Sequence, residues 1–293
     1  MSIGRRGWLV AVAIGVGAVL GARMVVAQPA GELSAARVAE ILAAADRTAA
    51  DRTNDLRRKP EQLLPFIGPR VGMTALDISS GGGYTVELLA RAIGPTGKVY
   101  GQGRPPRDPA APPRPAVAPE GNSHPGLPAA PAAAPAPTGP RPLAVVLGDR
   151  AARMQAAGVA AAPIMPVVQS FEAPVPADVA AGSVDLVTLI FNYHDLGHLG
   201  VDRDAMNRAV FQALKSGGHY VIADHAGRAG TGISEAGTLH RIEEAFLKRE
   251  VEAAGFRVVA EGQFLRNPND PRDKNTPDPP QPKDEFVLKF VKP

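Results

Sequence analysis

The sequence predicts an α/β protein with a parallel sheet and helices on both of its faces. Two observations predict this fold class. Apolar runs of strand length alternate along the chain with longer segments of helical periodicity, which is typical of parallel sheets built from strand–helix–strand units. The first strand-like run also leads through a glycine turn directly into a helix-like segment, the arrangement found where such sheets bind ligands.

The individual elements follow in order along the chain. Strand signals, chiefly apolar runs bounded by turn-forming residues, cover 73–78, 98–101, 164–168, 184–191, 219–224, 256–261 and 285–291. Helical spacing of apolar residues covers 33–46, 62–67, 85–92, 149–157, 202–214 and 239–254. We expect the first of these helices to pack on the domain, because its polar face lacks the basic residues of a membrane-surface helix.

The first 27 residues have the three parts of an export signal. Arg5 and Arg6 form a charged head, an apolar stretch covers 8–20, and the residues before Gln28 favour cleavage after Ala27. As a helix the apolar stretch would span roughly 20 Å, less than a hydrocarbon core of about 30 Å. We predict that residues 1–27 are a signal peptide and that the body is exported, to the periplasm, by the general secretory or twin-arginine route. An uncleaved anchor is the alternative.

The formal net charge of +3 comes from that N-terminal segment. Arg5, Arg6 and Arg23 are its only charged side chains, so the rest of the chain is formally neutral. A neutral body favours neither a nucleic-acid partner nor stable membrane insertion after the signal is removed. The chain has no cysteine, which excludes disulfides, thiolate metal sites and a cysteine nucleophile. The sequence leaves the oligomeric state open.

Proline interrupts the predicted domain twice. Residues 103–142 hold 14 of the 30 prolines, interleaved with alanine and glycine, and we expect this insertion to be disordered or polyproline-like. Residues 267–283 are rich in proline and charge, which predicts a surface loop. Residues 28–293 are therefore expected to form one domain that carries an insertion and a long loop.

The glycine turn is the strongest sign of a ligand site. Residues 71–85 read VGMTALDISSGGGYT, a strand that contains Asp77, then glycines, then the start of a helix. Glycine lets a ligand approach the backbone, and a helix N-terminus directs free N–H groups and a partial positive charge at it. A turn without a ligand can have the same sequence, so the glycines alone leave both interpretations open.

In this motif the chain resembles the class I S-adenosylmethionine-dependent methyltransferases. Asp77, Gly81 and Gly83 match the family's acidic residue and glycines, and Ser79 stands where its first glycine is usual. Residues 214–218 (LKSGG) and 252–256 (EAAGF) are similar to later family motifs in the expected order. Three more segments are similar to an exported bacterial branch of predicted methyltransferases: 58–60 (RKP), 191–195 (FNYHD) and 265–268 (LRNP).

The resemblance implies a Rossmann-like sheet of seven strands in the order 3-2-1-4-5-7-6, with the last strand antiparallel. It implies S-adenosylmethionine as the cofactor and methyl transfer to a small molecule whose identity the sequence does not give. The implied cofactor-binding residues are Asp77, Ser79, Gly81, Gly83, Gln102 and Ser170. Gln102 stands where the family usually has an acid for the ribose hydroxyls, and Ser170 where an aspartate usually meets the adenine; neither side chain offers a carboxylate.

The residues that follow the fourth predicted strand are the candidate catalytic groups. Ligands of an open parallel sheet bind beyond the carboxyl ends of its strands, so residues 191–195 should face the glycine turn. Asn192 is placed to orient a substrate, and His194 or Asp195 to remove its proton. Tyr193 and, after the fifth strand, His225 are expected substrate contacts. The alternative is that Asn192 and Asp195 merely cap the turn.

Two other classes of function remain open. A non-catalytic binding protein on the same scaffold would explain the departures at Ser79, Gln102 and Ser170. A metal-dependent hydrolase would use the histidines at 194, 198, 225 and 240 with Asp195 and Asp224. Gly197 and Gly200 predict a loop rather than a helix around His194 and His198, and the spacing matches no metalloenzyme signature, so we expect no metal site.

Overall fold

The described part of the chain folds around one seven-stranded sheet. A computed structural model describes residue 1, residues 33–108, residue 110, residues 116–127 and residues 141–293. The strands are β1 (Thr74–Ile78), β2 (Lys98–Gly103), β3 (Ile164–Val168), β4 (Val184–Ile190), β5 (Leu214–His225), β6 (Arg257–Gly262) and β7 (Glu285–Val291). The helices are α1 (Ala35–Ala43), α2 (Ala49–Arg58), α3 (Pro60–Ile67), α4 (Tyr84–Ile93), α5 (Leu143–Ala156), α6 (Asp195–His198), α7 (Arg203–Ala213) and α8 (Glu244–Ala253).

The strands are ordered β3-β2-β1-β4-β5-β7-β6, which confirms the predicted topology. β1 pairs in parallel with β2 on one side and with β4 on the other. β7 is antiparallel to both β5 and β6. The carboxyl ends of β1 and β4 therefore lie side by side, at the point where the chain switches from one half of the sheet to the other.

Apolar side chains cover both faces of the sheet. Along β1, Leu76 and Ile78 join the apolar cluster that includes residues of α7 and α8, whereas Ala75 joins the cluster that includes residues of α1, α3, α4 and α5. This alternation follows from the period of two in a strand. Because both faces are buried, β1 carries apolar side chains at Ala75, Leu76 and Ile78, and Asp77 is its one buried polar residue.

Several boundaries differ from the sequence prediction. α2 is absent from the predicted list, because residues 49–58 are mostly polar and show little apolar periodicity. Residues 195–198 form one helical turn rather than the expected loop. β5 begins at Leu214, earlier than predicted, with a register irregularity against β4 that accommodates the glycine pair at 217–218. The last predicted helix begins at Glu244 instead of at residue 239.

The proline-rich segments are only partly as predicted. The structure assigns no helix or strand within residues 267–283, as expected for a loop. Residues 116–127 of the insertion, expected to be disordered, instead pack against that loop, and Gly103 completes β2. Residues 109, 111–115 and 128–140 of the insertion lie outside the described residues. The same holds for residues 2–27 of the predicted signal peptide. In the described ranges no helix has the length and apolar character needed to cross a membrane.

Candidate functional site

A cavity of about 140 Å³ lies at the carboxyl ends of β1 and β4. The glycine turn forms its floor, and α2, α4, α5 and the end of β4 form its walls. Its lining residues are Asn54, Arg58, Asp77, Ser79, Ser80, Gly81, Gly82, Tyr84, Thr85, Arg150, Ile190 and Asn192. The fold thus brings together four of the predicted residues, Asp77, Ser79, Gly81 and Asn192.

The glycine turn has a backbone that few side chains tolerate. The φ angles of Ser79, Gly81 and Gly83 are +58°, +50° and +74°, and Gly83 immediately precedes α4. A Cβ atom at Gly83 would lie 2.7 Å from Leu147, so this glycine lets α5 approach the turn. A Cβ atom at Gly82 would meet no described atom within 4 Å, so Gly82 leaves space above the turn.

Asp77 is buried at the base of this cavity. Its Oδ1 accepts a hydrogen bond of 2.6 Å from the Thr188 hydroxyl, and its backbone carbonyl accepts one of 2.8 Å from the Ser80 hydroxyl. Burial raises the pKa of Asp77 to about 7, against the opposing effects of the Thr188 hydrogen bond and the Arg58 charge. Asp77 is therefore a polar group whose ionisation state responds to what occupies the cavity.

Gln102 lies at the end of β2, as the sequence predicts, but neither Gln102 nor Ser170 lines the glycine-turn cavity. Gln102 is fully buried beneath the turn, where its Oε1 accepts a hydrogen bond from Ser79 N and its Nε2 donates to the carbonyl of Gln169. Its role here is to hold the turn, because both ends of its amide are occupied. Ser170 lines a separate cavity of about 430 Å³ beyond the ends of β2 and β3, together with residues 104–108. The sequence gives the position of such residues along a strand but not the hydrogen bonds they make.

Two helices add cations that sequence reasoning missed. Arg58, from α2, lies over the rings of Tyr84 and Phe191, 5.1 and 5.2 Å from their centroids. Burial lowers its pKa, and the described residues place no carboxylate within salt-bridge distance of it. Arg150, from α5, donates to the Gly82 carbonyl. It also forms salt bridges with Asp51 and with Glu87 on α4.

A capping signal marked α2 in the sequence. The Thr48 hydroxyl accepts a hydrogen bond from Asp51 N while the Asp51 carboxylate accepts one from Thr48 N. A threonine followed three residues later by an acid is typical of a helix start. That pattern, rather than apolar periodicity, was the available evidence for the helix that carries Arg58.

A second cavity, of about 220 Å³, adjoins the first. The two share Asn54, Arg58 and Asn192. The rest of its lining is Arg57, Glu120, Ser123, His124, Phe191, His225 and Glu285. This cavity is strongly polar, and residues 120–124 of the insertion form one of its walls.

His225 reaches the second cavity, as expected of a substrate contact. Its Nδ1 lies 2.9 Å from Glu285 Oε1, and its Nε2 lies 3.3 Å from Glu120 Oε1. Burial and the nearby Lys283 charge hold the pKa of His225 well below its usual value, while burial holds that of Glu285 well above. Both shifts favour the neutral form of the side chain, the imidazole at His225 and the carboxylic acid at Glu285.

Two residues predicted to act on substrate are turned away from both cavities. The Tyr193 side chain is fully buried in the core, where its hydroxyl accepts a hydrogen bond from Asn207 and donates to Glu250. His194 is fully buried as well, with its Nδ1 2.6 Å from Asp224 Oδ1. Neither side chain lines either cavity, because Tyr193 packs in the apolar core and His194 is held by Asp224.

His194 and Asp195 form a charged pair behind Asn192. Burial opposes protonation of His194, but Asp224 and Asp195 outweigh it and raise its pKa to about 10. The Asp195 carboxylate accepts a hydrogen bond of 3.1 Å from Asn192 Nδ2. Asp195 therefore orients Asn192, which lines both cavities, and neither side chain makes a capping hydrogen bond to α6.

The arrangement provides two adjoining compartments with different chemistry. One is backbone-rich and built on a glycine turn, and the other is lined by polar side chains with a neutral histidine. Asn192 and Arg58 stand at their junction. Such a pair of compartments can hold two reactants side by side.

The fold occurs in solved structures of known proteins. A SAM-dependent methyltransferase from Aquifex aeolicus is 16% identical, with 84% of this chain and all of that chain covered, at a TM-score of 0.47. An arsenic(III) S-adenosylmethionine methyltransferase from Chlamydomonas reinhardtii is 13% identical, with 76% and 64% covered, at 0.44. The 4+2 cyclase SpnF is 14% identical, with 83% and 80% covered, at 0.47. No protein-family model and no curated protein matches the chain.

Proposed function

We propose that this chain, whose sheet has the strand order of the class I methyltransferases, binds S-adenosylmethionine and transfers a methyl group to a small polar molecule. The observation that carries the proposal is the pair of adjoining cavities at the carboxyl ends of β1 and β4. The glycine-turn cavity would receive the cofactor and the polar cavity the acceptor. S-adenosylmethionine would supply a methyl group already activated on a sulfonium.

The residues at the glycine turn fit the amino-acid end of this cofactor. Arg58 is a partly buried cation with no carboxylate of the described residues within salt-bridge distance, which suits a ligand carboxylate at the junction. The open space above Gly82 lets such a group approach the backbone and the start of α4. We place the adenosine end toward the cavity that Ser170 lines, and assign no ribose contact to Gln102.

The second cavity fits a small acceptor with a proton to lose. Asn192, fixed by Asp195, would orient the acceptor, and His225 would receive its proton as a neutral imidazole. Methyl transfer needs no covalent intermediate on the protein, only alignment and proton removal.

We retain export to the periplasm as part of the proposal, to be tested by sequencing the N-terminus of the protein recovered from a periplasmic fraction.

Thermal unfolding with and without ligand tests the cofactor assignment. A ligand at 100 times its dissociation constant should stabilise the full chain by about 2.7 kcal/mol. We expect S-adenosylmethionine and S-adenosylhomocysteine each to raise the melting temperature. The variant Gly82→Leu, which fills the open space above the turn, should unfold at an unchanged temperature without ligand and show no rise with it.

Gly148→Leu is the matched control. Gly148 is exposed on α5, and a Cβ atom there also meets no described atom within 4 Å. This variant should respond to both ligands as the unmodified chain does. If millimolar S-adenosylmethionine leaves the unmodified chain unchanged, the scaffold serves a different ligand and the methyltransferase assignment is wrong.

A further inference from the structure

Four side chains converge behind Asn192, outside both cavities. His194, Asp195, His198 and His240 form this group, which we call the histidine–aspartate cluster. Asp195 and His198 come from the single turn α6, and His240 from the segment before α8. His194 and His240 are almost completely buried. The proposed function does not use the histidines of this cluster.

The three inner groups have the spacing of metal ligands. Asp195 Oδ1 lies 3.3 Å from His194 Nε2 and 3.5 Å from His240 Nδ1. Ligand atoms about 2.0–2.1 Å from a tetrahedral ion are separated by roughly 3.4 Å. His198 Nε2 lies 3.8 Å from the same oxygen, within reach as a fourth ligand.

Hydrogen bonds on the far side of each ring direct the second ring nitrogen, His194 Nε2 or His240 Nδ1, into the cluster. His194 donates from Nδ1 to Asp224 Oδ1 at 2.6 Å, because a carboxylate can only accept. His240 donates from Nε2 to the Ala118 carbonyl at 2.7 Å. Among the described residues, His194 Nε2 and His240 Nδ1 have no hydrogen-bond partner although both are buried. A histidine that binds a metal through one nitrogen characteristically donates from the other to a carboxylate or a carbonyl in this way.

We propose that His194, Asp195 and His240 bind one divalent transition-metal ion. Two imidazole nitrogens and one carboxylate oxygen are the donors that Zn²⁺ and its neighbours in the first row prefer, whereas Mg²⁺ and Ca²⁺ take oxygen ligands. The alternative to a metal ion is a proton on His194 Nε2. The His194 ring would then lie protonated between Asp195 and Asp224, and the cluster would bind no metal ion.

The metal would fix the floor of the acceptor cavity. Asp195 Oδ2 accepts the hydrogen bond from Asn192, and the His194 ring lies 5.4 Å from that of His225. A bound ion would therefore join α6, the segment before α8 and, through the Ala118 carbonyl, the insertion. This site depends neither on S-adenosylmethionine nor on methyl transfer.

Metal titration of the full chain after chelator treatment tests the proposal. We expect uptake of about one equivalent of Zn²⁺ by calorimetry, and of Co²⁺ with the intense visible absorption of a low-coordinate site. His194→Asn and His240→Gln should each abolish stoichiometric uptake. In His194→Asn the amide nitrogen takes the place of Nδ1 and can still donate to Asp224. In His240→Gln the amide nitrogen takes the place of Nε2 and can still donate to the Ala118 carbonyl.

The controls separate ligand loss from misfolding and from adventitious binding. In the presence of chelator both variants should show the circular dichroism spectrum of the unmodified chain. His219→Asn alters a histidine on β5 that is outside the cluster and should leave the uptake unchanged. The absence of stoichiometric uptake by the unmodified chain, or uptake that survives both ligand substitutions, would overturn the assignment.

Discussion

The sequence motif determines the position of Asp77, whereas the surroundings of Asp77 determine its pKa. The strand pattern placed it at the ligand end of β1, as observed. The buried strands on either side then make its ionisation costly, so burial raises its pKa to about 7 from a usual value of 3.8. Asp77 must therefore affect stability as the pH changes.

The direction of this pH effect follows from proton binding. Between about pH 4 and pH 7 the folded chain holds a proton on Asp77 that the unfolded chain has released, so the Asp77 contribution to stability falls as pH rises. We expect Asp77→Asn to remove this fall while its amide oxygen still accepts from Thr188. The free energy of unfolding by urea, measured from pH 4 to pH 8, should show the unmodified chain losing stability relative to the variant.

The unmodified chain and Asp77→Asn share all other titrating groups. The difference between their free energies of unfolding therefore reports the titration of Asp77. Asp178→Asn, at an exposed position, is the matched control, and its curve should run parallel to that of the unmodified chain. Parallel curves for Asp77→Asn as well would contradict the assignment of a raised pKa to Asp77.

At the residue scale the sequence predicted positions better than side-chain directions. Asp77, Ser79, Gly81 and Asn192 meet at one cavity because motif and strand end determine where they lie. Gln102 is at the predicted place but has turned beneath the loop to Ser79 and Gln169. That orientation depends on hydrogen bonds between residues far apart in the chain, which a local pattern does not contain.

α2 links the N-terminal helices to the site, and Asp55 holds it there. The Asp55 carboxylate accepts two hydrogen bonds of 2.7 Å from Arg47, whose side chain is 1% exposed, and one of 2.6 Å from the Tyr84 hydroxyl. The same helix supplies Arg58 to both cavities. Asp55 and Arg58 lie three residues apart at the C-terminal end of α2, so the Asp55 contacts position the turn that carries the cation.

Removing this carboxylate should be costly. Asp55→Ala leaves the buried Arg47 guanidinium without its acid, so we expect the free energy of unfolding to fall by about 3–5 kcal/mol. Urea denaturation at pH 7 measures the change. Glu40→Ala removes half of the exposed Arg37–Glu40 pair and should cost less than about 1 kcal/mol. Equal losses for the two variants would mean that Asp55 contributes no more than a surface charge.

At the element scale, apolar patterning found the strands and missed α2. Most strands are short apolar runs bounded by turn-forming residues, and β3 and β7 were predicted at their observed boundaries. α2 packs through Arg47, Asp55 and Tyr84, and a helix held by charged and polar contacts has no apolar stripe to detect. Helices of this kind are visible in sequence only through their caps.

At the scale of the whole molecule, two described segments that are far apart in the chain close the second, polar cavity. The Asn275 side chain accepts a hydrogen bond from Gly121 N and donates one to the Pro119 carbonyl, both of 2.8 Å. Lys283 N donates to the Ser123 carbonyl. Residues 116–127 are thus held as a wall of the site by the proline-rich loop.

Loss of the Asn275 side chain should loosen that wall without unfolding the domain. In Asn275→Ala we expect the amide of Gly121 to exchange its hydrogen faster, since its acceptor is gone, while amides of β1 keep their protection. Hydrogen exchange followed by mass spectrometry measures both regions at once. Asn269→Ala, at an exposed position of the same loop, should leave both unchanged. Unchanged exchange in Asn275→Ala would show that other contacts hold the segment.

Composition correctly excluded helices and strands from the proline-rich loop but did not reveal this contact. Proline density predicts the absence of regular structure, whereas 116–127 is held by hydrogen bonds to residues far along the chain, among them Asn275, Thr276 and Lys283. The strand order followed from the resemblance as a whole, because the topology is shared even where individual contacts are not.

A crystal structure of the chain with S-adenosylhomocysteine tests the central claim most directly. The account predicts ligand density over Gly81 and Gly82, with the ligand carboxylate near Arg58 and the sulfur facing Asn192 at the junction of the two cavities. Density confined to the cavity that Ser170 lines, or no density at the glycine turn at saturating ligand, would contradict it.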